Sequence, residues 1–74
     1  MRPTRYFVSS VAEGWDVLPP RGAPMRYPTR VAAVQAARDA AQQMWNKHRA
    51  ASEVMINEED GAWHLVAAYG QILG

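Results

Sequence analysis

Phe7-Val8-Ser9-Ser10-Val11-Ala12-Glu13-Gly14-Trp15-Asp16-Val17-Leu18 reads as strand, acidic-glycine turn, tryptophan, strand. Glu53-Val54-Met55-Ile56-Asn57-Glu58-Glu59-Asp60-Gly61-Ala62-Trp63-His64-Leu65-Val66 reads the same way. One alanine-rich stretch separates the two. The pattern predicts an α+β domain of order ββαββ, in which two β-hairpins form a four-stranded sheet and one long helix packs on one face.

The first strand is expected over about Tyr6–Val11, where aromatic and β-branched residues dominate. Ala12-Glu13-Gly14 forms the turn, and Trp15–Leu18 is the return strand. Pro19-Pro20 ends it, because neither proline can donate to a ladder. Residues 19–28 then read as a mobile loop. The third strand covers Glu53–Asn57, Glu58-Glu59-Asp60-Gly61 turns the chain, and Ala62–Tyr69 is the fourth strand. Residues 1–5 and 71–74 are expected to fray. Strand order is open between 2-1-3-4 and 1-2-3-4.

The helix is predicted from about Arg30 to about Arg49, with Thr29 as its N-cap. Its interior holds no glycine or proline, and alanine is the best helix former. At 100° per residue, Val34, Ala37, Ala41, Met44, Trp45 and His48 share one face. The expected core is therefore Val34, Ala37, Ala41 and Trp45 from the helix, with Val8, Trp15, Val17, Val54, Ile56, Trp63 and Leu65 from the sheet. In the last strand, alternation places Trp63, Leu65, Ala67 and Tyr69 together, with His64, Val66 and Ala68 opposite.

One helix covers one face of a sheet. The other face is expected to show Phe7, Leu18, Met55 and Val66, too apolar a set for a solvated surface. A chain of 74 residues makes one domain with a small core, and it has no cysteine to add a disulfide or a thiolate metal site. These points lead to the expectation of an interaction or self-assembly module, most simply a homodimer, with another protein as the alternative partner. The missing cysteines also suit a reducing, cytoplasmic setting. No apolar run approaches the roughly 20 residues of a membrane span, and none follows the N-terminus at signal-peptide length.

Charge is unevenly distributed. Residues 1–50 carry eight basic and three acidic residues, and residues 51–74 carry four acidic and no basic ones. Arg5, Arg21, Arg26 and Arg30, with Tyr27, are the candidate contacts for an anion. The alternative function is accordingly a single-stranded nucleic-acid-binding module that uses an arginine and aromatic sheet face. A net charge of only +1 and the lack of an RNP-type motif weigh against it.

Enzyme chemistry finds no foothold. His48 and His64 have no third ligand at a useful spacing, so no metal or cofactor is expected. The Glu58-Glu59-Asp60 cluster lacks calcium-loop spacing. Ser9-Ser10 lacks the flanking glycines of a nucleophile elbow. The reading is of a non-enzymatic protein with no catalytic residue.

In Gly14-Trp15-Asp16-Val17, the run Thr29–Arg38, Asp60-Gly61-Ala62-Trp63 and Tyr69-Gly70, the chain resembles a bacterial family of short proteins designated domain-of-unknown-function family 2188. The likeness spans about Tyr6 to Gly70. Trp63 stands where family members carry a smaller aliphatic residue, and the final strand is more apolar here. The resemblance implies the fold and a buried or interface role for that strand. It implies no activity, since the family carries none.

Overall fold

The computed structural model describes residues 4–57 and 61–70. The expected frayed tail at 71–74, residues 1–3 and the acidic turn 58–60 lie outside them. The strands are β1 (Thr4–Val11), β2 (Gly14–Leu18), β3 (Met25–Tyr27), β4 (Ser52–Asn57) and β5 (Trp63–Tyr69), and the helix α1 is Arg30–His48. They form a five-stranded sheet of order β3-β2-β1-β4-β5 with α1 against one face. The α+β class holds. The strand count was one short, because Met25-Arg26-Tyr27 pairs with β2 inside the segment expected to be a loop.

β1 and β4 pair in parallel at the centre of the sheet, and every other pairing is antiparallel. Of the two orders left open, the two hairpins thus adopt the one that puts the first and third expected strands side by side. Parallel neighbours need a long crossover. Here β3 and α1 together supply it, carrying the chain from one sheet edge back to the centre.

Local chemistry fixes the helix ends. Thr29 is extended (φ −134°, ψ 158°), and its hydroxyl oxygen accepts from the Ala32 amide at 3.1 Å. This satisfies one of the orphan donors of the first turn. Arg49 ends the helix in the left-handed region (φ 52°), and its amide donates to the Trp45 carbonyl at 2.8 Å.

The core is compact. Val8, Val54, Ile56, Ala33, Ala37 and Ala41 are fully buried, with Tyr6 and Val17 nearly so. The helix stripe is therefore Ala33-Ala37-Ala41, rotated from the expected one. Val34 packs on its flank, half-buried, and His48 is exposed. Alanine explains the rotation: a methyl lets the helix axis approach the sheet closely, so the larger Val34, Met44 and Trp45 are displaced to the margins. Trp45, expected in the core, is only half-buried. Trp15, the strand-end tryptophan, is half-buried too and packs against the core. Ser52 is the one buried polar side chain among the described residues, and its hydroxyl donates to the Ala50 carbonyl at 3.0 Å.

Two glycines are required by their surroundings. Gly14 has φ 144°, and a Cβ there would overlap the carbonyl oxygen of Tyr27 on β3. The close approach of β3 to the first hairpin depends on its absence. Gly70 has φ 69°, and a Cβ would overlap the Trp45 ring. The same ring carries the Arg49 guanidinium 5.3 Å from its centroid. Trp45 thus closes the end of the helix onto the end of β5.

Gly70→Ala is expected to cost about 1–3 kcal/mol, from backbone strain plus the clash. In a Trp45→Ala background the cost should fall by at least about 1 kcal/mol. Urea denaturation of the four proteins measures the coupling; equal costs in both backgrounds would contradict the contact.

Candidate functional site

The face of the sheet away from α1 carries an unusually apolar surface. Its layout follows from register. Leu18 lies opposite Phe7 across β2–β1, Phe7 opposite Met55 across β1–β4, and Met55 opposite Leu65 across β4–β5. Directly paired residues share a face. Leu18, Phe7, Met55 and Leu65 therefore form one apolar row across four strands. Trp63 joins it: its ring meets Phe7 edge-on, with centroids 5.1 Å apart and planes at 75°.

Trp63 and Leu65 correct the sequence reading, which put them in the core. They are 45% and 51% exposed. The cause is a β-bulge between Val54 and Met55 in the β4–β5 pairing. Val54 pairs with Ala67, but Met55 pairs with Leu65, so Val66 is skipped. One extra residue inverts the side-chain alternation of everything beyond it. Ala67 and Tyr69 stay on the helix side and pack against the core, whereas Leu65 and Trp63 turn to the open side. Of the expected interface residues, Phe7, Leu18 and Met55 lie in the row. Val66 is the bulge residue, 38% exposed, and Leu65 takes the place beside Met55.

Ion pairs flank the row. On one side the Arg5 Nε donates to Glu53 Oε1 at 3.0 Å, between directly paired β1 and β4 residues. On the other, the Arg26 Nε donates to Asp16 Oδ1 at 2.9 Å, and its Nη1 lies 3.7 Å from Glu13 Oε2. The Asp16 carboxylate, by hydrogen bond and by charge, holds Arg26 above the ordinary guanidinium pKa. Both arginines are thus neutralised locally.

The five candidate anion contacts do not gather. Arg5 and Arg26 take the open face in these pairs, Arg21 lies in the β2–β3 connection, Arg30 opens α1, and Tyr27 pairs with Trp15 and packs on the helix side. Among the described residues, no three histidine, aspartate or glutamate side chains come together as a metal cluster, and no helix is long and apolar enough to cross a membrane.

A second feature lies on the helix side. Thr4, Tyr6, Pro19, Pro20, Arg21, Met44 and His48 line an open cleft of about 430 Å³. A shallower hollow of about 280 Å³ adjoins it and adds Lys47. Nothing in the sequence pattern pointed to it, because it is assembled from β1, the β2–β3 connection and the last turns of α1. Burial pushes the Tyr6 phenol pKa upward, so it is a neutral group at physiological pH.

No known protein family, curated protein or solved structure matches the chain.

The bulge predicts opposite responses from Ile56 and Leu65, which lie on opposite faces of the β4–β5 pair. Ile56→Ala should cost about 2–5 kcal/mol, as a large-to-small change in a closed core. Leu65→Ala, at low micromolar concentration, should cost less than about 1 kcal/mol. Thermal melts followed by circular dichroism separate the two; equal losses would return Leu65 to the core.

Proposed function

We propose that this chain is a non-enzymatic interaction module that pairs with a second copy of itself through the open face of the sheet. The carrying observation is the row Leu18–Phe7–Met55–Leu65 with Trp63 beside it, an apolar stripe four strands wide. Contiguous apolar surface of this kind is characteristic of contact surfaces.

The occupant follows from the charges. Arg5, Glu53, Asp16 and Arg26 are already satisfied within the chain, so the face calls for no partner of one sign. A copy of itself supplies the same stripe and the same balanced flanks, which is what an isologous two-fold contact needs. Size is adequate. Five strands at about 4.8 Å spacing and roughly 17 Å length give a face of roughly 400 Å² in plan. Two such faces stacked at about 10 Å would bury on the order of 1,000 Å² in total, the low end for specific interfaces. Association in the micromolar range is the matching expectation.

The nucleic-acid alternative has one supporting observation: Phe7 and Trp63 are aromatic rings on an open sheet face with arginines at its flanks. It is the weaker reading because those arginines are committed to carboxylates, and neutralised arginines release few counterions from a polynucleotide. The resemblance to the short bacterial family rests on its motifs alone, and membership is proposed on that basis.

Light scattering behind size exclusion is the test. At a few hundred micromolar the wild type should approach twice its 8.3 kDa chain mass. Met55→Glu should return it to one chain mass while keeping the helical circular-dichroism signal, because the new charge would be buried at the contact. A wild type that stays at one chain mass would overturn the reading. Retention of oligonucleotide at about 50 mM salt, lost at higher salt, would move it to the alternative.

A further inference from the structure

We propose that the cleft between β1, the β2–β3 connection and the end of α1 binds a small organic anion, a carboxylate or phosphate monoester carried on a flat apolar body. The cleft and the open face lie on opposite sides of the sheet.

Tyr6, Met44, Pro19 and Pro20 give the cleft lining its apolar part, and Arg21, Lys47 and His48 its basic part. The two hollows share Tyr6, Met44 and His48, so they adjoin. The main hollow, about 430 Å³, falls within the size range of small-ligand sites.

The charges here differ from those elsewhere on the molecule. Arg5 and Arg26 are paired with carboxylates, Arg38 donates to the Tyr69 hydroxyl, and Arg49 stacks on Trp45. Among the described residues, Arg21, Lys47 and His48 make no ion pair or hydrogen bond with their side chains. Among the described residues, no acidic one lines the cleft. Lys47 and His48 have a simple reason to sit in the last helical turn, where basic groups complement the helix dipole. That reason does not extend to Arg21, which comes from the β2–β3 connection and lines the same hollow as His48. Convergence from two separate elements is what makes it a site.

Tyr6 fixes the orientation of a ligand. Its residue is 6% exposed and its ring belongs to the core. Its hydroxyl makes no hydrogen bond within the described chain, and no buried side-chain polar atom lacks a partner, so the hydroxyl keeps access to the cleft. It is a fixed donor among the Arg21, Lys47 and His48 side chains that line the two hollows. An anion accepts from Arg21 and the Tyr6 hydroxyl, with Arg21 able to offer a bidentate fork. The flat body lies over Met44, whose flexible thioether adapts to a ring, and against Pro19 and Pro20.

The test is a ¹⁵N–¹H NMR titration of the full chain with four probes: phenyl phosphate, benzoate, inorganic phosphate and benzyl alcohol. The two aryl anions should give saturable shifts at Tyr6, Arg21, Met44, Lys47 and His48, with Kd below about 1 mM. Inorganic phosphate and benzyl alcohol, each lacking half of the chemistry, should bind at least tenfold more weakly. The ratio of phenyl phosphate to benzoate distinguishes phosphate from carboxylate as the preferred head group. Arg21→Gln with Lys47→Gln, both at exposed positions, should weaken the aryl anions by at least tenfold with an unchanged melting temperature. If that pair loses its fold, Arg21→Gln alone should weaken them by at least threefold. Shifts that do not saturate, that spread over all arginines, or that inorganic phosphate reproduces at equal affinity would overturn the proposal.

Discussion

The methyl contact of Ala33, Ala37 and Ala41 on the central strands is the constraint from which the rest of this molecule follows. A helix that meets a sheet through alanine lies close to it, so the side chains beneath must fill the space exactly as wide as a methyl allows. Val8 and Val17 from the first hairpin, with Val54 and Ile56 from β4, do so. Larger helix residues cannot enter and are left at the margins, where Val34 and Trp45 pack on edges rather than centres. The domain is thereby limited to a thin, dry layer between one helix and one sheet face. Among the described residues, no second element covers the opposite face, although apolar residues line it.

That limit links the fold to the proposed role. A core of eight apolar residues among those described, three of them alanine, gives a small domain a narrow stability margin. Covering the open face would add burial where the chain has already placed Phe7, Met55, Leu65 and Trp63. Their charged neighbours are paired in advance, so association need not strand a charge. The cleft on the helix side shows the reverse arrangement, with cations that have no carboxylate. The two proposed partners differ accordingly: an apolar, charge-balanced surface for the open face, and an anion on a flat apolar body for the cleft.

Much of this was legible in the residues. The first hairpin, the Thr29 cap, the helix and β4 stand where propensity and capping put them, because each is specified locally. Three features were not legible, each for a physical reason. β3 has only three residues between Pro24 and Pro28, too few to show a period, and it exists because β2 offers it an edge. The helix stripe was misread because the apolar arc favours large side chains, while contact distance favours alanine. Trp63 and Leu65 were misplaced because a strict two-residue period was carried from Tyr69 back to Trp63, through the bulge. A bulge changes register without leaving a marker residue, and here only the apolar character of both parities of β5 hinted that neither face would be purely solvent.

The account's central claim is that the row across β2, β1, β4 and β5 touches its own counterpart in a second chain. Isotope-filtered NOE spectroscopy on an equimolar mixture of ¹³C-labelled and unlabelled protein reads that contact directly, since it detects only protons close to one another across two chains. The account predicts cross-peaks from the Met55 methyl and the Leu65 and Leu18 methyls to the aromatic protons of Phe7 and Trp63 of the other copy. Intermolecular cross-peaks confined to the outer edge of β5 or to α1, or none at a concentration where the mass is that of two chains, would contradict it.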